Sequence, residues 1–74
     1  MTIASVKHSI IENDVVTLRE RVGKWPAGTT GAAVSVHEDS ALVEVADPTT
    51  GVALDMFEVP AELLEIQPRT WLKP

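Results

Sequence analysis

Apolar and polar residues alternate along this chain in short segments that turn-forming residues separate. Side chains of a β-strand point to opposite faces with a period of two, so this alternation predicts half-buried strands. Before the polar residues 37–40, Val34 and Val36 occupy positions of the same parity; after them, Val43 and Val45 do so. The pattern predicts a β-hairpin in which both pairs of valines face a common core.

The same pattern predicts further strands on either side of this hairpin. In order, the predicted strands cover residues 14–18, 30–36, 41–46, 52–59 and, as a brief fifth strand, 65–67. Gly23, Pro26 and Gly28 predict a long ordered loop over residues 19–30. Pro60 predicts one helical turn over residues 60–64. We therefore expect an all-β fold, a small, partly open SH3-like barrel of four to five antiparallel strands with one short helical turn.

A chain of 74 residues is close to the lower size limit for one independently stable domain. We expect an N-terminal arm over residues 1–12, the barrel over residues 13–67 and a C-terminal tail over residues 68–74. In the fourth strand, Leu54 and Met56 share one face and Phe57 lies on the other. One of these faces is therefore exposed or covered by the N-terminal arm. A homo-oligomer is compatible with this size.

The composition limits which cellular compartment and which kinds of cross-link or metal site we expect. The chain has no cysteine, which excludes disulfides and thiolate metal sites and fits the reducing cytosol. No segment has the roughly 20 apolar residues of a membrane helix, and the N-terminus does not read as a secretory signal. We therefore expect a cytoplasmic protein that does not enter a membrane.

Negative charge is concentrated in one part of the chain. The net charge is −5, and residues 25–68 carry eight acidic residues and no basic one. Such a surface repels the phosphates of nucleic acids and attracts a basic protein. The charge pattern therefore disfavours nucleic acid and favours a partner protein of basic character.

Residues suited to catalysis are few and poorly placed. His37 adjoins two acidic residues, but neighbours in a predicted turn point in different directions and do not converge on a metal. Glu62 and Glu65 have helical spacing, but acid–base chemistry needs an enclosed pocket that the interior of so small a barrel lacks. We expect no enzymatic activity, no cofactor and no metal.

Several short motifs have the spacing of a known bacterial family. In order, they are Asp14-Val15-Val16 with Leu18, Ala27-Gly28 with Thr30-Gly31, Val34 with Val36, Glu38-Asp39, Val43-Glu44-Val45, and the turn Pro60 to Leu64. Over residues 14–66 the chain resembles the family catalogued as domain of unknown function 4926, although it has Val45 where an aromatic residue is usual. The resemblance implies an SH3-like fold and brings no established activity or functional residues. Small proteins of this kind often look like partners of larger proteins, including toxin-neutralising ones.

Recognition of another protein is the function that the residues favour. Trp25 lies in the long loop and Trp71 in the tail, and tryptophan is enriched at the energetic centres of interfaces. For Trp25 the alternative is a structural role, as a cover over the open end of the barrel. The candidate contact residues are Arg19, Arg21, Lys24, Trp25, Phe57, Trp71 and Leu72.

The leading hypothesis is a non-catalytic protein-interaction module, such as an antitoxin or immunity-type partner that acts by surface contact. One alternative is a nucleic-acid-binding barrel, which requires Arg19, Arg21, Lys24 and Arg69 to form one basic patch. Another alternative is a self-associating accessory domain of an enzyme complex.

Overall fold

Five antiparallel strands form one sheet in the computed structural model, which describes residues 9–69. The strands are β1 (Val15–Leu18), β2 (Thr30–Val36), β3 (Ser40–Ala46), β4 (Ala53–Pro60) and β5 (Leu64–Ile66), with a 3₁₀ turn at Ala61–Leu63. Their order in the sheet is β4-β3-β2-β1-β5. The expected all-β, partly open SH3-like barrel is confirmed. Within residues 9–69, no helix has the length and apolar content needed to cross a membrane.

Small branched side chains from several strands fill the interior. Val16, Val43 and Val59 are fully buried and lie on three different strands. Leu18 and Leu64 join them from β1 and β5. The predicted inward orientation of Val43 and Val45 on β3 is confirmed, since both are buried.

The predicted orientation of Val34 is wrong because β2 contains a bulge. Ala33 and Ser35 pair with consecutive residues of β3, so Val34 is an extra residue between them. An inserted residue reverses the inward and outward positions beyond it. Ala33 is consequently buried, Val34 is 38 % exposed, and Val36 packs against the core despite its equal parity with Val34.

The two faces of β4 are also distinguished by the pairing with β3. Asp55, Phe57 and Val59 pair with the buried positions of β3 and share their face of the sheet. Phe57 is half-buried against the core. Leu54 and Met56 point away from it and are 52 % and 47 % exposed. Of the two faces that the sequence left open, the one with Leu54 and Met56 is therefore the exposed one.

Residues near both limits of the predicted barrel are attached to it. Ile10, which we assigned to the N-terminal arm, belongs to the core. Arg69, which we assigned to the tail, donates from Nε and Nη2 to the fully buried Asp14 carboxylate at 2.6 and 2.9 Å. Arg69 also donates to the carbonyl of Ser9 at 2.6 Å. The described parts of the arm and tail thus pack on the barrel.

Candidate functional site

One lateral row of outward-facing residues crosses four strands of the sheet. Strand pairing aligns Val15 with Ala32, Ala32 with Glu44, and Glu44 with Met56. Cross-strand partners share a face, and the buried Val16 next to Val15 shows that this face points away from the core. We call these four residues the outer row. It is apolar except for Glu44, and its ends at Val15 and Met56 are exposed.

A cleft of about 520 Å³ opens beside the outer row. β2 and β3 pair only from Ala32 and Glu44 onward, so Thr30 and Gly31 pair with β1 on one side and with no residue of β3 on the other. The start of β2 and the end of β3 therefore separate, and the cleft lies between them. Its walls are mainly apolar and include Val15, Trp25, Ala32, Ala46, Pro48 and Leu54. Among the described residues that line the cleft, Glu44 is the only ionisable one.

Gly31 permits the close approach of β2 to β3 at the base of this cleft. A Cβ atom on Gly31 would lie 2.7 Å from the carbonyl oxygen of Glu44 and 2.7 Å from Cγ1 of Val43. Both distances are far below van der Waals contact, and the carbonyl belongs to the paired backbone of β3. Any side chain at position 31 would push the two strands apart and change the shape of the cleft.

Trp25 forms part of the cleft wall and is held there by a hydrogen bond. Its Nε1 donates to Oδ2 of Asp55 at 2.8 Å, and its ring packs against the core. Reciprocal backbone hydrogen bonds with Val22, at 2.8 and 2.9 Å, fix the loop around it. The bond from Trp25 lowers the pKa of Asp55, with a further contribution from the backbone N–H of Met56. The half-buried ring therefore packs against the core and also lines the cleft.

Of the predicted contact residues that the structure describes, Lys24 and Trp25 lie together, whereas Arg19 and Phe57 have other neighbours. Arg19 donates from Nε to the carbonyl of Leu64 at 3.1 Å and so links the end of β1 to β5. Arg21 and Lys24 are exposed in the loop, and Lys24 Nζ lies 5.4 Å from the centroid of the Trp25 ring. Phe57 lies on the core side. Trp71 and Leu72 lie outside the described residues.

Two further observations concern nucleic-acid binding and metal binding. Of the basic residues that a nucleic-acid patch would need, Arg69 is engaged by the buried Asp14 and Arg19 by a backbone carbonyl. His37 Nε2 lies 3.5 Å from Oε2 of Glu58, and both side chains are about half exposed. Within the part of the chain that the structure describes, no three His, Cys, Asp or Glu residues are grouped so that they could hold a metal ion.

The outer row was not among the residues selected from the sequence. The alternation in β4 already placed Leu54 and Met56 on the face opposite Phe57. This pattern could have indicated an exposed apolar face. The placement of Glu44 between Ala32 and Met56 depends on strand register, which the sequence does not display.

Comparison with protein-family models, curated proteins and solved structures gives no match to this chain. The resemblance to domain of unknown function 4926 stays a prediction.

Proposed function

We propose that this protein is a non-catalytic protein-interaction module and that it binds its partner through the outer row and the adjoining cleft. The observation that carries the proposal is the apolar surface that the cleft lining and the exposed ends of the outer row form around Glu44. Val15 and Met56 mark the ends of the row, and Leu54 extends it along β4 into the cleft. Contiguous apolar surface of this kind is typical of binding sites, whereas scattered apolar residues are common on any protein.

The charge of the chain favours a basic partner. Eight acidic residues and no basic one occur between residues 25 and 68, the segment that contributes three of the four residues of the outer row. Opposite charges accelerate the encounter of two proteins and orient them before contact. A basic toxin or nuclease fits this field, and in that case the protein would act as an antitoxin or immunity-type partner.

Binding through the outer row requires little change in the fold. The core lies on the other side of the sheet, and Leu54 and Met56 project away from it. Polar substitutions at these positions should therefore weaken the complex and leave the barrel intact. This separation of binding from folding makes the proposal testable by mutation.

The test compares a double variant with a matched control in a defined complex. A tagged full-length chain is used to isolate its partner from the native cell, and the purified pair is measured by calorimetry. Leu54→Ser with Met56→Ser should weaken binding by at least about tenfold, because two apolar contacts are lost. Ile11→Ser removes an equally exposed apolar residue outside the outer row and cleft, and it should leave binding unchanged. The proposal fails if no partner is found, or if the double variant binds as tightly as the control.

Self-association is a second candidate, which the position of β4 favours. β4 is an edge strand of the sheet, eight residues long, and it carries the exposed Leu54 and Met56. Long edge strands offer unpaired backbone groups to another chain. Light scattering over a dilution series separates this candidate from a monomer that binds a different protein.

A further inference from the structure

We infer that the cleft takes a lysine or arginine side chain from an extended segment of the partner protein. The aliphatic part of that side chain lies against the apolar walls, and its cation meets the carboxylate of Glu44. The inference rests on the proposed function, because it names the chemistry of the segment that the same surface binds.

The shape of the cleft suits a long side chain entering from the outer row. A volume of about 520 Å³ lies within the range of roughly 300–1,000 Å³ typical of binding clefts. Val15 and Ala32 belong to both the row and the cleft lining, so the two surfaces are continuous. A strand placed along the row can therefore direct one side chain into the cleft while side chains two positions away contact Leu54 and Met56.

Glu44 is the acidic residue that lines the cleft, and its carboxylate is available to a partner. Its nearest neighbours in the row are Ala32 and Met56, which carry no charge. Other carboxylates of this part of the sheet are used within the protein: Asp47 accepts from the backbone of Thr49, Asp55 from Trp25, and Glu58 from Ser40. For the half-buried Glu44, none of the described residues supplies a hydrogen bond or ion pair to the side chain.

A carboxylate in apolar surroundings selects a cation with an apolar stem. Removal of water by a partner strengthens the attraction between opposite charges, and lysine and arginine bury their methylene groups along apolar surface. The Trp25 ring also lines the cleft, and tryptophan rings attract cations, as the Lys24 ammonium 5.4 Å from the ring centroid illustrates. A phosphate or an acidic side chain would instead meet Glu44 with the same charge.

The experiment uses the full-length ¹⁵N-labelled chain and four blocked pentapeptides. The peptides share valine at the four flanking positions and carry arginine, lysine, citrulline or glutamate at the centre. Citrulline keeps the length and the planar end group of arginine, but it is uncharged and has a carbonyl oxygen in place of one nitrogen donor group. We expect the arginine and lysine peptides to shift the amide signals of Ala32, Glu44 and Ala46 and to bind at least about fivefold more tightly than the citrulline peptide.

Two substitutions with the same change in net charge locate the acceptor. Glu44→Gln should abolish the preference for arginine over citrulline and leave binding of the citrulline peptide unchanged. Glu65→Gln, at an exposed position of β5, should retain the full preference. Glu44→Lys should favour the glutamate peptide. The preference is a ratio between peptides on one folded variant, so a moderate loss of stability does not obscure it.

Several results would overturn the inference. They are equal binding of all four peptides, no shift at the cleft amides with any of them, and an equal loss of preference in the Glu44→Gln and Glu65→Gln variants. A shift of the same amides on concentrating the protein without peptide would identify a second copy as the occupant. If Leu54→Ser with Met56→Ser disrupts the native complex while Glu44→Gln does not, the proposed function stands and this inference fails.

Discussion

The buried carboxylate of Asp14 connects two distant parts of the chain, and its removal should weaken the fold measurably. Its Oδ1 accepts from Nε of Arg69 at 2.6 Å, and its Oδ2 accepts from Nη2 of Arg69 and from the backbone N–H of Ile11, both at 2.9 Å. Asp14→Asn keeps the size of the side chain but replaces one acceptor oxygen with an amide donor. In either orientation that donor faces the guanidinium of Arg69, and at the Oδ2 position it also faces the N–H of Ile11.

The magnitude follows from the burial of Asp14 and the number of its partners. A hydrogen bond to a charged group contributes about 1.5–3 kcal/mol, and breaking a buried ion pair costs about 3–5 kcal/mol. Because the Arg69 side chain is 31 % exposed and can turn towards water, we expect the low end of this range, about 3 kcal/mol. A domain of this size has a free energy of unfolding of about 4–11 kcal/mol, at about 0.05–0.15 kcal/mol per residue. The loss is therefore a large part of the total.

The effect should depend on pH with a defined sign. Arg69 holds the pKa of Asp14 below its ordinary value of 3.8 in the folded protein, chiefly through hydrogen bonding. The stabilisation is therefore fully present above pH 3.8 and is lost as the pH falls through the lower pKa of the folded state. The difference in stability between the wild type and Asp14→Asn should stay constant near neutral pH and shrink below pH 3.8.

Urea unfolding followed by far-ultraviolet circular dichroism measures both quantities. Glu12→Gln is the matched control, because Glu12 is exposed and lies two residues from Asp14. The control should change the free energy of unfolding by less than about 0.5 kcal/mol. The reasoning is refuted if Asp14→Asn resembles this control at pH 7, or if the difference between wild type and Asp14→Asn persists unchanged into acid.

Three further substitutions test the packing of β2 against β3. Gly31→Ala places a methyl group against the backbone of β3, and we expect chemical denaturation to show a loss of about 1–3 kcal/mol. A stability equal to the wild type would mean that the strands separate easily there. Val43→Ala should cost at least about 2 kcal/mol because it leaves a cavity in the core, whereas the same change at the exposed bulge residue Val34 should cost less than about 0.5 kcal/mol. Similar losses at the two valines would contradict the bulge.

The strands were predictable because their signals are local. Each predicted strand boundary agrees with the structure to within one residue, since alternation identifies strands and Gly23, Pro26, Gly28 and Pro60 mark the segments between them. The bulge at Val34 was not predictable in this way. Val34 and Val36 are equally apolar, and only the pairing with β3 shows which of them faces inward.

A local sequence pattern does not predict contacts between residues that are far apart in the chain. Arg69 and Asp14 are separated by 55 positions, and Trp25 and Asp55 by 30. In the sequence, Arg69 belonged to a basic set considered for nucleic acid, whereas in the structure it neutralises a buried carboxylate. The role of a charged residue depends on what the fold places beside it, and composition alone does not reveal that.

The irregular features of the sheet create the surface to which we assign binding. If β2 and β3 paired along their whole length, backbone hydrogen bonds would close the space between Thr30 and Ala46, and no cleft would form. Next to this opening, Gly31 permits a close approach of β2 to β3, because a side chain there would meet the carbonyl of Glu44. Glu44 pairs at the last aligned position before the strands separate, so its side chain stands at the margin of the opening. The close approach at Gly31 thus lies beside the residue whose carboxylate we expect to receive the partner's cation.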